Sequence, residues 1–386
     1  MTPISRRDFL AASAIAFSGA RSFAGAQPPS DRGVSWLAEV QRPPAKLPAD
    51  ASQLKPLLID DAGRPIAALS DWRRRREQLA AWWLEFLGAY HPQRRGVPKL
   101  EVVEEEGVQG VLRQRVRYEV EPGWPVEAYV LKPATLPRSC PGAVVLHSTT
   151  KNTIRQPAGV EGEPEKAFGL KLAQRGFVAI CPRCFLWSED LAIPYQQHVE
   201  RFRAAHPGSR GMAKMLYDAV VAVDILCSLP EVDSKRLAAV GHSLGAKEVV
   251  YLAALDERIG VTVSSEGGIG TKFSNWEAPW YLGDEIRRES FTHEHHELLG
   301  LIAPRAFLLL GGNSADGDRS WPFISAALPV YQLYGGTPRV GLFNHGKGHS
   351  VPPEAEQRIY EWIEAYPCST NQAQASATDW RKGRVR

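Results

Sequence analysis

Gly241-His242-Ser243-Leu244-Gly245 sets a serine between two glycines, where an apolar run ends and a helical pattern begins. A serine hydroxyl is a weak nucleophile near neutral pH and needs a base beside it to attack a carbonyl. The G-x-S-x-G spacing meets one condition for that chemistry. It puts the serine on a sharp, strained strand-to-helix turn, where side chains at the two glycine positions would collide with neighbouring backbone. The N–H of Leu244, in the first helical turn, is then a natural oxyanion donor. The loop after the apolar run 142–148 offers a second donor at Ser148 or Thr149. Two histidines follow the last strand pattern, His345 and His349. His349 is preferred as base because it lies past the strand end in a glycine-flanked loop. His242 follows the strand direction and reads as a structural residue. The acid that would orient the base is open among Asp316, Asp318 and Glu266, all just beyond strand patterns, where catalytic groups gather in open α/β sheets.

Those residues need a frame that brings distant strand ends together. An antiparallel pair is expected at 113–120 and 126–133 from alternating polar and apolar residues. Short apolar strands then follow at 142–148, 177–182, 236–243, 261–268, 305–312 and 339–346. Helical patterns separate them at 165–176, 211–228, 244–255 and 320–336, and one closes the series at 352–366. This alternation predicts an α/β fold with a mostly parallel central sheet and helices on both faces. An earlier helix is expected at 70–87, stopped by Gly88, with the arginines at 73–76 on its solvated face. The segment 267–300, with Phe273, Trp276, Trp280 and Tyr281, is expected to form part of a substrate wall.

Composition narrows the classes. The chain has 386 residues and a formal net charge of +3, too small to argue for a nucleic-acid surface. No apolar run is long enough to suggest a membrane span in the mature chain. Five cysteines cannot all pair internally. Cys181-Pro-Arg-Cys184 lacks a second C-x-x-C and reads as structural thiols or one local disulfide. His293, His295 and His296 lack the H-E-x-x-H spacing and read as hydrogen-bonding residues, so neither a metal nor another cofactor is expected. Ser5-Arg6-Arg7-Asp8-Phe9-Leu10, a short apolar stretch and Ala24-Gly25-Ala26 resemble a twin-arginine export signal. The expected division is a signal peptide at 1–26, a Pro-rich linker and helical extension at 27–99, a catalytic domain at 100–368 and a polar tail at 369–386. Such a chain would be handled by the twin-arginine export machinery and work in the periplasm or outside the cell.

Taken together, the residues at 140–366 resemble the serine α/β-hydrolases, within them the dienelactone-hydrolase-like and acetylxylan-esterase-like group. The resemblance implies the α/β-hydrolase fold and a serine esterase that works through a Ser-His-acid triad and an acyl-enzyme, without a cofactor. A narrower resemblance is to glucuronoyl esterases, whose elbow carries a lysine four residues after the serine, as Lys247 does here. Some of them place the acid as a glutamate 23 residues after the serine, the spacing from Ser243 to Glu266. Their arginine and cysteine beside the nucleophile are Leu244 and His242 here. Implied substrates are carbohydrate-linked esters, acetyl or uronate, with Lys247, Trp276 and Trp280 as substrate contacts. A peptidase or amidase of the same fold, and a non-catalytic carbohydrate-binding descendant, are the alternatives.

Overall fold

The apolar runs become the middle strands of a nine-stranded sheet. The computed structural model describes residues 33–49, 51–88 and 96–366. Its strands are β1 (Glu101–Val108), β2 (Val111–Glu121), β3 (Trp124–Pro133), β4 (Cys140–Leu146), β5 (Val178–Pro182), β6 (Val232–His242), β7 (Ile259–Ser265), β8 (Ala306–Gly311) and β9 (Val340–Asn344). The helices are α1 (Leu37–Val40), α2 (Leu69–Leu87), α3 (Phe168–Gln174), α4 (Tyr195–Ala205), α5 (Gly211–Ser228), α6 (Leu244–Leu255), α7 (His296–Ile302), α8 (Trp321–Leu333) and α9 (Pro353–Ala365). Strand order is β1-β2-β3-β5-β4-β6-β7-β8-β9. The pairs β1–β2, β2–β3 and β3–β5 are antiparallel, and every pair from β5 to β9 is parallel.

The central strands are apolar on both sides because both sides are covered. Val144, Leu146, Leu237, Ala239, Phe307 and Leu309 face the core shared with α2, α5, α6, α7 and α8. Their neighbours Ala143, Val145, Ala238, Val240, Leu308 and Leu310 face the core shared with α3 and α9. β1 was not legible in the sequence because almost all of it is exposed, so it carries no apolar alternation. Its Glu104, Glu105 and Glu106 instead face Arg115, Gln114 and Arg113 of β2. A charged edge of this kind also resists pairing with other chains.

Parts of the expected linker are packed against the sheet and its last helix. The Trp36 indole N–H donates to Glu361 at 2.6 Å and its ring stacks on Trp362. Gln41 donates to the carbonyls of Pro338 and Val340. Helix α2 buries Trp72, Leu79, Trp83 and Leu87, and Gly88 ends it at φ 78°. The expected signal peptide and the 369–386 tail lie outside the described residues. Cys140, Cys181, Cys184 and Cys227 are free thiols, so no disulfide joins Cys181 to Cys184.

Register sets the functional end of the sheet. Leu146 pairs with Gly241, His242 with Ser265, Ser265 with Leu310, and Gly311 with Asn344. The ends of β4, β6, β7, β8 and β9 therefore lie side by side. From β4 the chain goes first to β5 on one side, then to β6 on the other. Such a switch of direction opens a crevice beyond the strand ends.

Between the helices, burial raises the Glu248 carboxyl from 4.5 to about 8, with Asp218 adding like-charge repulsion. Between those pH values the folded chain keeps a proton that the unfolded chain has released. Stability therefore falls as pH rises through this window. Glu248→Gln removes the proton uptake. Urea unfolding at about pH 5 and about pH 9 is expected to show the variant gaining on the order of a few kcal/mol relative to wild type. A pH-independent difference would contradict the assignment.

Candidate active site

Ser243 sits between β6 and α6 at φ 58°, ψ −114°, a backbone conformation that non-glycine residues avoid. The turn admits this only because its flanks are bare. A Cβ at Gly245 would lie 2.0 Å from the Leu146 carbonyl oxygen, and one at Gly241 would lie 2.3 Å from the Gly245 backbone. The Ser243 N–H donates to the Ser265 carbonyl at 2.8 Å. His242 is enclosed and bonds the Ser265 hydroxyl through Nδ1 at 3.0 Å. Burial and the neighbouring His349 hold His242 well below the usual imidazole range, so it is neutral near pH 7.

The residues brought to the neighbouring strand ends are Glu266 and His349. Glu266 follows β7 directly, at φ 55°. Its carboxylate is buried, accepting from the Gly312 N–H and from the Ala315 N–H at 2.7 Å. The third contact is to His349, with Nδ1 3.4 Å from Oε2. The His349 side chain is 42% exposed, and its ring lies against His242 at 4.6 Å between centroids. Its loop is seated on the end of β8. The N–H groups of His345 and Gly348 donate to the Gly311 and Gly312 carbonyls, both at 2.7 Å. A Cβ at Gly312 would fall 1.9 Å from the Gly348 carbonyl oxygen, so the seat requires glycine.

The two other acids are elsewhere engaged. The Asp316 carboxylate accepts from the Gly268 N–H at 2.6 Å, the Ile269 N–H at 2.8 Å and the Ser320 hydroxyl at 2.8 Å. It is fully buried and makes no hydrogen bond to His349. Asp318 accepts from the Asn344 amide. A sequence alone cannot separate these carboxylates, because the choice depends on which way the backbone turns after β7 and β8.

The expected substrate contacts also differ. Lys247 is 4% exposed. Its ammonium donates to the Gly267 carbonyl at 2.6 Å and lies 4.0 Å from the Trp276 ring centre. Burial pulls it from 10.5 to about 7, opposed by the charge of Asp316. Trp276 is enclosed as well, donating its indole N–H to the Gly268 carbonyl at 2.7 Å. These two side chains brace the segment after Glu266 rather than line an open wall. Trp280 is half-buried, edge-on to Tyr195.

Of the expected oxyanion donors, Leu244 opens α6, so its N–H has no partner within the helix. Ser148 and Thr149 follow β4, the first buried and the second exposed. The sequence reading missed His147. Its Nε2 accepts from the Cys184 N–H at 3.0 Å, so Nδ1 carries the proton and donates to the Ser148 carbonyl at 2.7 Å. Burial lowers His147 to about 4, so this neutral tie holds the loop near pH 7. The three clustered histidines have separate partners. His293 contacts Glu297, His295 lies between Ile269 and Tyr251, and His296 contacts the Lys55 carbonyl.

Comparison with known proteins bears on the fold and on the class of reaction. Residues 126–278 match the dienelactone hydrolase family. A curated relative, carbohydrate esterase MZ0003 from an unknown prokaryotic organism, is 27% identical over 138 residues, 30% of this chain. The match spans 31% of that protein's length. Among solved structures, a glucuronoyl esterase from Solibacter usitatus superposes with a TM-score of 0.67 at 19% identity, covering 83% of this chain and 99% of that one. An acetyl xylan esterase from Paenibacillus sp. R4 gives a TM-score of 0.52 at 18% identity, covering 86% and 99%. Residues 126–278 are thus similar to the dienelactone hydrolase family, and the sheet with its helices forms an α/β-hydrolase fold.

Proposed function

We propose that this chain is an exported serine esterase acting on carbohydrate-linked carboxylic esters, with Ser243 as nucleophile, His349 as base and Glu266 as the orienting acid. The observation that carries the reading is the contact of His349 Nδ1 with the buried Glu266 carboxylate, one strand over from the strained Ser243 turn. In this reading Nδ1 holds its proton toward Glu266, leaving Nε2 to accept the Ser243 proton. Ser243 Oγ bonds to the ester carbonyl carbon. The oxyanion is met by the Leu244 N–H and an N–H at Ser148 or Thr149. The protonated His349 then gives its proton to the departing alcohol, leaving an acyl-serine. Water attacks that ester with His349 again as base, releasing the acid and restoring the serine. The partial exposure of His349 suits entry of that water.

The carbohydrate part draws on the esterase names among the relatives, which include both glucuronoyl and acetyl xylan esters. The export part rests on residues 5–10 and 24–26, outside the described residues. Initial rates on benzyl glucuronate ester and on acetylated xylo-oligosaccharide, with Ser243→Ala as blank, test the class. At least one is expected to turn over above the blank, and neither doing so would contradict it.

Two variants separate the acids. Glu266→Gln is expected to lower kcat/KM on the better substrate by roughly a thousand-fold, through loss of the charge that orients and stabilises the imidazolium. Asp316→Asn is expected to lose less than about ten-fold in rate while losing about 1–3 kcal/mol of stability, because its carboxylate satisfies buried donors. The reverse pattern would restore Asp316 as the acid. Gly312→Ala is expected to cut kcat by more than about ten-fold, with an unchanged circular dichroism spectrum, by lifting the His349 loop from its seat. An unaltered kcat would remove that seat from the account.

A further inference from the structure

His242 reaches each part of the proposed triad. It directly precedes Ser243. Its Nδ1 bonds the hydroxyl of Ser265, which directly precedes Glu266, at 3.0 Å. Its ring lies 4.6 Å from the ring of His349, with the two planes inclined by 51°. The side chain is enclosed, so packing fixes it in place.

His349 is less firmly held. Its loop backbone is seated on Gly311 and Gly312, but the side chain leaves that seat partly exposed. The contact with Glu266, at 3.4 Å, is longer than a usual N–H···O bond. One long bond at Nδ1 does not fix an imidazole, because the second side-chain torsion of histidine is broad. A ring packed against it restricts that torsion. Among the described residues, His242 supplies the one aromatic ring beside His349.

The charge of this neighbour matters as much as its shape. In the proposed reaction His349 becomes an imidazolium when it takes the Ser243 proton. A second imidazolium 4.6 Å away would oppose that step. His242 is kept from charging by burial first, then by the charges of His349, Lys166 and His345, against a smaller pull from the His349 backbone. Lys166 is itself paired with Glu163 at 2.7 Å. The Glu266 carboxylate is turned to the Gly312 and Ala315 amides. The uncharged ring can thus receive the cation as aromatic faces do.

We infer that His242 is a positioning residue for His349: its neutral ring is the platform that keeps Nδ1 of the base toward Glu266 and Nε2 toward Ser243. The bond to Ser265 anchors the platform and does not itself orient the base. The consequence for rate rests on the ester-hydrolase reading. The orientation of His349 is measurable without turnover.

Three variants of the full chain separate the ring from its bond. His242→Asn keeps a polar group near the place of Nδ1 and removes the ring. His242→Phe keeps a ring and removes the polar atoms. Ser265→Ala removes the bonding partner alone. On the better of the two esters, His242→Asn is expected to lower kcat about thirty-fold or more, with KM within about two-fold of wild type. His242→Phe and Ser265→Ala are each expected to lose no more than about five-fold. Nitrogen-15 NMR of the histidine rings reads the orientation. Neutral His349 is expected as a single Nδ1–H tautomer in wild type, His242→Phe and Ser265→Ala, and as a mixture in His242→Asn. Wild-type His242 is expected to show no titration from about pH 5 to about pH 8. Losses in His242→Phe and Ser265→Ala as large as in His242→Asn would assign His242 to bracing the serine turn and overturn the inference. A single His349 tautomer in every variant, or a His242 that charges within that pH range, would overturn it as well. Should His242→Phe fail to fold, the other two variants decide. If wild type hydrolyses neither ester, the esterase reading falls, and the tautomers still decide the role of His242.

Discussion

The site depends on how the chain leaves β7. Glu266 takes a left-handed conformation there, at a cost of about 1–3 kcal/mol, and buries a carboxylate. A buried carboxylate is tolerable only with donors around it. The Gly312 and Ala315 amides supply two of them, and His349 supplies the third contact. The backbone that follows is pinned at both kinds of group. Lys247 and Trp276 hold the Gly267 and Gly268 carbonyls, and Asp316 holds the Gly268 and Ile269 amides. These bonds offset the strain and leave Glu266 one orientation.

The other parts are tied to the same point. Ser265, the last residue of β7, accepts the Ser243 N–H and bonds His242, so the Ser243 turn and Glu266 share one backbone anchor. The His349 loop rests on Gly311 and Gly312 at the end of β8, whose amide also holds Glu266. Side-by-side strand ends thus convert sequence separations of 23 and 83 residues into direct contacts. His147 does the equivalent for the loop after β4 by linking the end of β4 to Cys184 beyond β5.

Much of this was legible in the sequence. The G-x-S-x-G turn, α6 directly after it, and His349 past the last strand all follow from local pattern and chain order. The strand and helix alternation fixed the fold class. Which carboxylate meets His349 was not legible, since Glu266, Asp316 and Asp318 are equivalent until backbone direction is known. Lys247 was read as a substrate contact from its place four residues after the serine, as in glucuronoyl esterases, and Trp276 because aromatic faces suit sugar rings. Their enclosure is a tertiary property, set by the fold of the segment after Glu266. β1 carried no signal because an exposed edge strand needs no apolar face, and His147 resembled any histidine ending a strand.

The central claim remains that Ser243 is an activated nucleophile. Mass spectrometry of the protein after treatment with a fluorophosphonate tests it most directly. The account predicts one adduct, on the peptide containing Ser243, forming much more slowly in Glu266→Gln. No adduct on that serine in the folded wild-type protein would contradict it.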